Sequence, residues 1–125
     1  MRAKVLLYRL GEETEKGKQL RAILREMKLL TLTVEANQLG ETAGKLASTN
    51  AASTDAPAPE YAPEAEFMLL CALGDKQLDR LLANMRRAGI SVPYKAVLTE
   101  HNTDWKLCKL IEEVTREHEF LKSSH

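Results

Sequence analysis

The chain reads as an α/β protein with a small, mainly parallel, four-stranded sheet in the flavodoxin-like order 2-1-3-4 and helices on both faces. Three observations predict it. The runs Val5-Leu6-Leu7-Tyr8 and Phe67-Met68-Leu69-Leu70-Cys71-Ala72-Leu73 are apolar at both parities, as in strands covered on both faces. Each run is followed by a stretch with helical apolar spacing and then by a second strand-like run, the order of a crossover unit. Between the two strand-helix-strand halves lies a low-complexity stretch, residues 47–63, with almost no apolar side chain except Tyr61. A ferredoxin-like α+β fold with an added C-terminal helix is the alternative. It leaves one sheet face to be covered by the last helix or by a partner.

The elements follow in order. Lys4 to Leu10 is the first strand, ended by Gly11. In the stretch Glu12 to Leu29, Leu20, Ile23, Leu24 and Met27 make one apolar helical face. Glu12, Glu13 and Glu15 crowd its start and Lys28 lies near its end, the charge order a helix dipole favours. Gly17 is expected to weaken the first turns by about 1 kcal/mol relative to Ala. Leu30 to Glu35 alternates at period two, as an edge strand with one buried face does. Leu39, Ala43 and Leu46 suit a short amphipathic helix interrupted by Gly40 and Gly44. Pro57, Pro59 and Pro63 exclude a regular helix or central strand, so 47–63 is expected to be a mobile loop.

Phe67 to Leu73 is the strongest apolar run and the central strand. Asp75 is placed to cap the helix Lys76 to Ala88, which buries Leu78, Leu81, Leu82 and Met85. Gly89 ends that helix as a left-handed cap, with Ile90 folding back. Tyr94 to Thr99 is the last strand, and Leu107, Leu110, Ile111, Val114, His118 and Leu121 form the stripe of the last helix.

Composition bounds the function. The 125 residues suit one domain, 1–125, and 18 basic against 18 acidic side chains give no net charge. The usual electrostatic driver of nucleic-acid binding is absent, so no nucleic-acid partner is expected. Only four apolar residues stand between Lys4 and Arg9, too few for a signal-peptide core or a membrane span. A cytoplasmic protein without a membrane partner is the expectation. Cys71 and Cys108 form no CxxC pair and read as small core residues; a redox pair requires them to meet in space.

The recognisable chemistries are poorly supported. Gly40-Glu41-Thr42-Ala43-Gly44-Lys45 has one residue too few between its glycines for a phosphate loop, and Leu46 stands where Ser or Thr must hold magnesium. Gly11 alone ends the first strand, so there is no dinucleotide fingerprint. His101, His118 and His125 lack metal-ligand spacing with each other and with the cysteines. His118 reads as a core-edge residue. No serine sits in a nucleophile elbow, and the Glu-rich helix faces read as solvated surfaces with i, i+4 pairing. No cofactor, metal or catalytic residue is expected.

The corner Thr99 to Trp105 remains, with the only Trp of the chain. Asn102 or Thr103 is placed to cap the last helix, and Trp105 to plug the end of the core. In a parallel sheet this corner shares the carboxyl edge with Tyr8–Gly11 and Gly74-Asp75. The same residues then wall a pocket of Asp75, Thr99, His101, Asn102 and Trp105 beside a helix N-terminus suited to an anion.

These residues also carry a resemblance. Leu69-Leu70-Cys71-Ala72-Leu73, Leu78-Asp79-Arg80-Leu81-Leu82, Ala88-Gly89-Ile90, Pro93-Tyr94-Lys95-Ala96-Val97-Leu98-Thr99, Asn102 and Trp105 resemble the uncharacterised bacterial domain-of-unknown-function family number thirty-seven eighty-three. The resemblance covers about residues 66–118. It implies a small intracellular bacterial protein and lends no activity or site. The expectation is a noncatalytic module that binds a partner protein or a small ligand at the carboxyl edge. The alternatives are an enzyme built there from Asp75, Thr99, His101 and Asn102, or a homodimer formed through a sheet edge or the last helix.

Overall fold

The computed structural model describes residues 2–48, 57–59 and 61–123. The elements are β1 (Lys4–Tyr8), α1 (Glu15–Glu26), β2 (Leu30–Val34), a 3-10 turn (Ala36–Gln38), α2 (Ala43–Ser48), β3 (Phe67–Cys71), α3 (Asp75–Arg87), β4 (Lys95–Val97) and α4 (Leu107–Ser123). They form one four-stranded sheet in the order β2-β1-β3-β4. β1 runs parallel to β2, and β3 parallel to β4, but the central pair β1–β3 is antiparallel.

The order 2-1-3-4 and the two helical faces are thus as expected, while the sheet is mixed and not the flavodoxin arrangement. The reason is physical. Apolar residues at both parities report that a strand is covered on both faces, and coverage is indifferent to strand direction. Direction at the centre depends on how residues 36–66 return the chain to β1. The ferredoxin-like alternative also fails, because its split βαβ units keep their two strands apart, whereas here β1 and β2, like β3 and β4, are direct neighbours.

Alternation along the central strands sorts the core into two layers. Val5, Leu7, Met68 and Leu70 face Leu20 and Leu24 of α1 and Leu81 and Met85 of α3. Leu6, Tyr8, Phe67, Leu69 and Cys71 face Ala43, Leu46 and Ala47 of α2 and Leu107, Leu110 and Ile111 of α4. Each fully buried leucine contributes about 2 kcal/mol of transfer free energy. The pair Leu6–Leu69 stands at the midpoint of the antiparallel register, and both side chains are buried.

Helix ends follow local chemistry. Thr14 caps α1, its hydroxyl accepting from the Gly17 N–H at 3.0 Å. Gly17 is needed, contrary to its reading as a weak spot. A Cβ there would lie 1.8 Å from the backbone oxygen of Gly11, because the loop before α1 lies back on the helix. Gly89 has φ 75° just after α3, and the Ile90 N–H donates to the Met85 carbonyl at 2.9 Å, a Schellman end as expected. The phosphate-loop look-alike is equally structural. Gly40 lies under the Pro57 carbonyl and Gly44 under the Thr103 hydroxyl, where a Cβ would come within 2.1 and 2.0 Å.

The low-complexity stretch is partly built into the fold. Ala47 and Ser48 end α2, and Ala47 is buried. Residues 57–59 and 61–66 form a strap tied to the first half. The Tyr8 hydroxyl and the Arg9 Nε donate to the Pro63 carbonyl at 2.6 and 2.8 Å, and Lys16 pairs with Glu66 at 2.6 Å. Residues 49–56 and 60 of the expected loop lie outside the described residues. No helix of the described chain is long and apolar enough to cross a membrane.

Candidate functional site

The antiparallel centre divides the carboxyl edge in two. The strand ends at Tyr8 and Val34 emerge on one side of the sheet, and those at Cys71 and Val97 on the opposite side. Tyr8–Gly11 and Gly74-Asp75, expected to share an edge, therefore sit apart.

The expected site residues cluster at the β3/β4 end, where each has a structural partner or faces solvent. Gly74, not Asp75, is the N-cap of α3; its N–H donates to Gln77 Oε1 at 3.0 Å, and Asp75 is an exposed first-turn residue. Asn102 does not cap α4. Its Oδ1 accepts from the Thr99 N–H at 2.8 Å and its Nδ2 donates to the Val97 carbonyl at 3.0 Å, which closes the corner onto the strand end. In return the Asn102 N–H donates to the Thr99 hydroxyl at 3.3 Å.

His101 is exposed and stands 5.8 Å, ring to ring, from Trp105, which packs half-buried against the α2/α4 core. The first N–H groups of α4 are taken: Leu107 donates to the Glu41 carbonyl at 2.9 Å and Cys108 to that of Leu39 at 3.0 Å. The helix start expected to receive an anion thus already has its acceptors. Trp105 and Asn102 are a plug and a corner lock, and no cleft wall is built from the five residues in either of the clefts described next.

The first cleft, about 570 Å³, opens at the β1/β2 carboxyl edge. Its lining includes Arg9, Glu12, Glu13, Arg21, Thr33 and Glu35. Arg9 follows β1 in the left-handed region, φ 60°, which turns the chain sharply out of the sheet. Its Nε lies between the Tyr8 hydroxyl and the Pro63 carbonyl. Arg21 reaches from α1 to the Leu10 carbonyl with Nε at 3.0 Å and to the Thr33 hydroxyl with a terminal nitrogen at 2.9 Å. Among the described residues neither guanidinium forms an ion pair within 4.0 Å. Both are held in place by neutral oxygens, with terminal nitrogens left over for a bidentate acceptor.

Neither arginine was singled out by sequence. The available signal was small: Arg9 as the residue leaving a buried strand, and Arg21 pointing off the apolar stripe of α1 toward the sheet edge.

The second cleft, about 650 Å³, runs between the strap and α4, with Pro59, Tyr61 and Pro63 on one wall and Cys108, Thr115 and Arg116 on the other. Arg116 is held by Glu112 and Glu113 of its own helix, the i, i+4 type of pairing expected there. Cys71 is fully buried, and burial pushes its thiol up to about 12 against a smaller opposing pull from Lys4. Both cysteines are free thiols. His118 packs edge-on against Tyr94 at 5.0 Å. Among the described residues no three His, Cys, Asp or Glu side chains gather as a metal site would need.

Residues 66–121 match the family model described as a domain of unknown function (DUF3783). No curated protein and no solved structure matches the chain. The DUF3783 segment spans β3, α3, β4 and nearly all of α4, and begins at Glu66, the strap residue paired with Lys16. The Lys95 to Trp105 run that carries the resemblance is therefore the β4 strand, the Asn102-locked corner and the aromatic plug of the DUF3783 unit. The first cleft is built from residues outside that unit.

Proposed function

We propose that the protein is a noncatalytic binding module of a bacterial cytoplasm that takes a small zwitterionic ligand at the carboxyl edge of β1 and β2. The observation that carries this reading is the pair Arg9 and Arg21 in one cleft, each anchored by neutral oxygens and without a described carboxylate partner. An unpaired, pre-oriented guanidinium favours a carboxylate or phosphate, and Glu12, Glu13 and Glu35 on the same lining favour a cationic group on the same molecule. The carboxyl ends of parallel strands are where α/β sheets receive ligands. The cytoplasmic reading is supported by the two free thiols.

Isothermal titration of the full-length protein with α-amino acids, short peptides, inorganic phosphate and neutral sugars tests it. Binding is expected for zwitterions and to weaken at least about tenfold in Arg9→Ala and in Arg21→Ala. Heat from none of the zwitterions, or binding indifferent to both substitutions, contradicts it.

A second reading, a partner-protein module, is favoured by the strap–α4 groove with Tyr61 exposed on its rim. Maleimide labelling of Cys108 separates the two. A bulky label there fills the groove and leaves the Arg9–Arg21 cleft open.

A further inference from the structure

We infer that residues 4–48 are a diverged second copy of the DUF3783 unit, and that the surface this unit buries is made to fit another copy of itself. The family model matches only 66–121, so the first half falls outside it. The equivalence is carried by backbone geometry.

Any antiparallel pair maps onto itself when its strands are exchanged, and here the axis through Leu6–Leu69 equates Lys4 with Phe67 and Tyr8 with Cys71. The outer pairs agree with the same exchange. Val5–Thr31, Leu6–Leu32 and Leu7–Thr33 correspond to Met68–Lys95, Leu69–Ala96 and Leu70–Val97. A two-fold axis normal to the sheet does this, and it carries α1 onto α3 within one layer and α2 onto α4 within the other.

Irregular features repeat as well, and these are harder to reach by chance than strands and helices. The residue after each central strand is left-handed, Arg9 and Ala72, both at φ 60°. The residue ending α1 and α3 is left-handed too, Lys28 at φ 58° and Gly89 at φ 75°. The next N–H closes the same bond, Leu29 to the Leu24 carbonyl and Ile90 to that of Met85. After each edge strand a side-chain amide oxygen receives the N–H three residues earlier: Gln38 from Glu35 at 2.7 Å, Asn102 from Thr99 at 2.8 Å.

The junction over the axis is reciprocal. Ala43 donates to the Trp105 carbonyl and Leu107 to that of Glu41, both at 2.9 Å. Gly44 donates to the Thr103 carbonyl and Cys108 to that of Leu39, at 2.9 and 3.0 Å. Thr42 and Lys106, the equivalent residues before α2 and α4, form an isolated antiparallel bridge. Residue i contacting j while j contacts i is the mark of an isologous interface. Here that interface lies within one chain, and the partner it fits is a second copy of the unit.

The test is a symmetrised full-length chain in which residues 4–48 are replaced by a second copy of 67–112, with 49–125 unchanged. A monomer that unfolds in one cooperative transition is the expected result, and an aggregated or noncooperative chain counts against the inference. A smaller transplant, Lys28→Gly with Glu35→Thr and Gln38→Asn, places second-half residues at their first-half equivalents. It decides the case if the full copy does not fold. A Tm within about 4 °C of the parent upholds the equivalence, and a larger loss overturns it.

Discussion

The two halves of the sheet share one backbone plan and differ in what they hang on it. At the end of β1 stands Tyr8, whose hydroxyl ties down the strap through Pro63; at the end of β3 stands Cys71, a closed-off thiol in the core. After β1 the chain takes a longer path, Gly11 to Thr14, before α1, and that path leaves the cleft that Arg9 and Arg21 line. After β3, Gly74 caps α3 directly. Above the sheet, α2 is a six-residue stub while α4 runs for 17 residues and forms one wall of the second groove. Shared geometry marks what the fold requires, and the departures mark where one half is free to do something else. By that measure Asn102 belongs to the fold, because Gln38 performs the same task in the other half. Arg9 and Arg21 belong to the departures.

Substitutions at equivalent positions test how alike the two halves are. The largest effect is expected at the axis. Leu6→Ala and Leu69→Ala each remove a buried leucine and should each cost about 3 kcal/mol in urea unfolding. Losses equal within about 1 kcal/mol would sharpen the two-fold picture, and a tolerant site on one side only would break it.

Gly17 comes next. Gly17→Ala should cost about 2 kcal/mol, the reverse of the gain that helix propensity gives, because its Cβ meets the Gly11 carbonyl. The corresponding α3 residue is Leu78, half-buried against the α1/α3 core, so only the first half carries this constraint. A neutral Gly17→Ala would mean that the loop before α1 does not lie on the helix.

A third test uses Cys71. Its folded pKa is raised to about 12 from 9.0, so its contribution is fully present below the unfolded value and is lost as pH rises from 9 toward 12. Stability should therefore fall on the alkaline side by an amount on the order of 2 kcal/mol near pH 11, and Cys71→Ala should flatten that limb even though it lowers stability at pH 7. An unchanged limb would contradict a buried neutral thiol. The matching strand-end position, Tyr8, reaches out to the strap instead.

The smallest effects are gains. Ala72→Gly and Lys28→Gly place glycine at left-handed positions and should each add about 0.5–1 kcal/mol. A loss at either would show that the side chain there supplies more than the turn costs.

Much of the fold was legible. The β1 and β3 runs, the period-two β2, the Gly89 end of α3 and the order of the sheet all follow from local patterns that fold together in the same place. Strand direction at the centre was not, since it depends on a long connection whose residues carry little patterning. That one feature divides the expected edge. Placing Tyr8–Gly11 and Gly74-Asp75 on one edge assumes a parallel centre, and the observed register sends them to opposite sides. Asn102 bonds the Thr99 backbone and not the first turn of α4, because α4 starts only at Leu107. The reason for Gly17 lies in a tertiary approach of the Gly11 backbone, which helix propensity does not show. Arg21 was hidden among surface charges, and only the proximity of Leu10 and Thr33 distinguishes it from them.

The reciprocal junction between α2 and α4 is where the two units meet over the axis. Amide hydrogen exchange of the full-length protein reads it directly, at Ala43 and Gly44 on one side and Leu107 and Cys108 on the other. Ala43 and Leu107 should be slow and match within about tenfold, as should Gly44 and Cys108. Fast exchange at one member of a pair with strong protection of the other would contradict the two-fold unit.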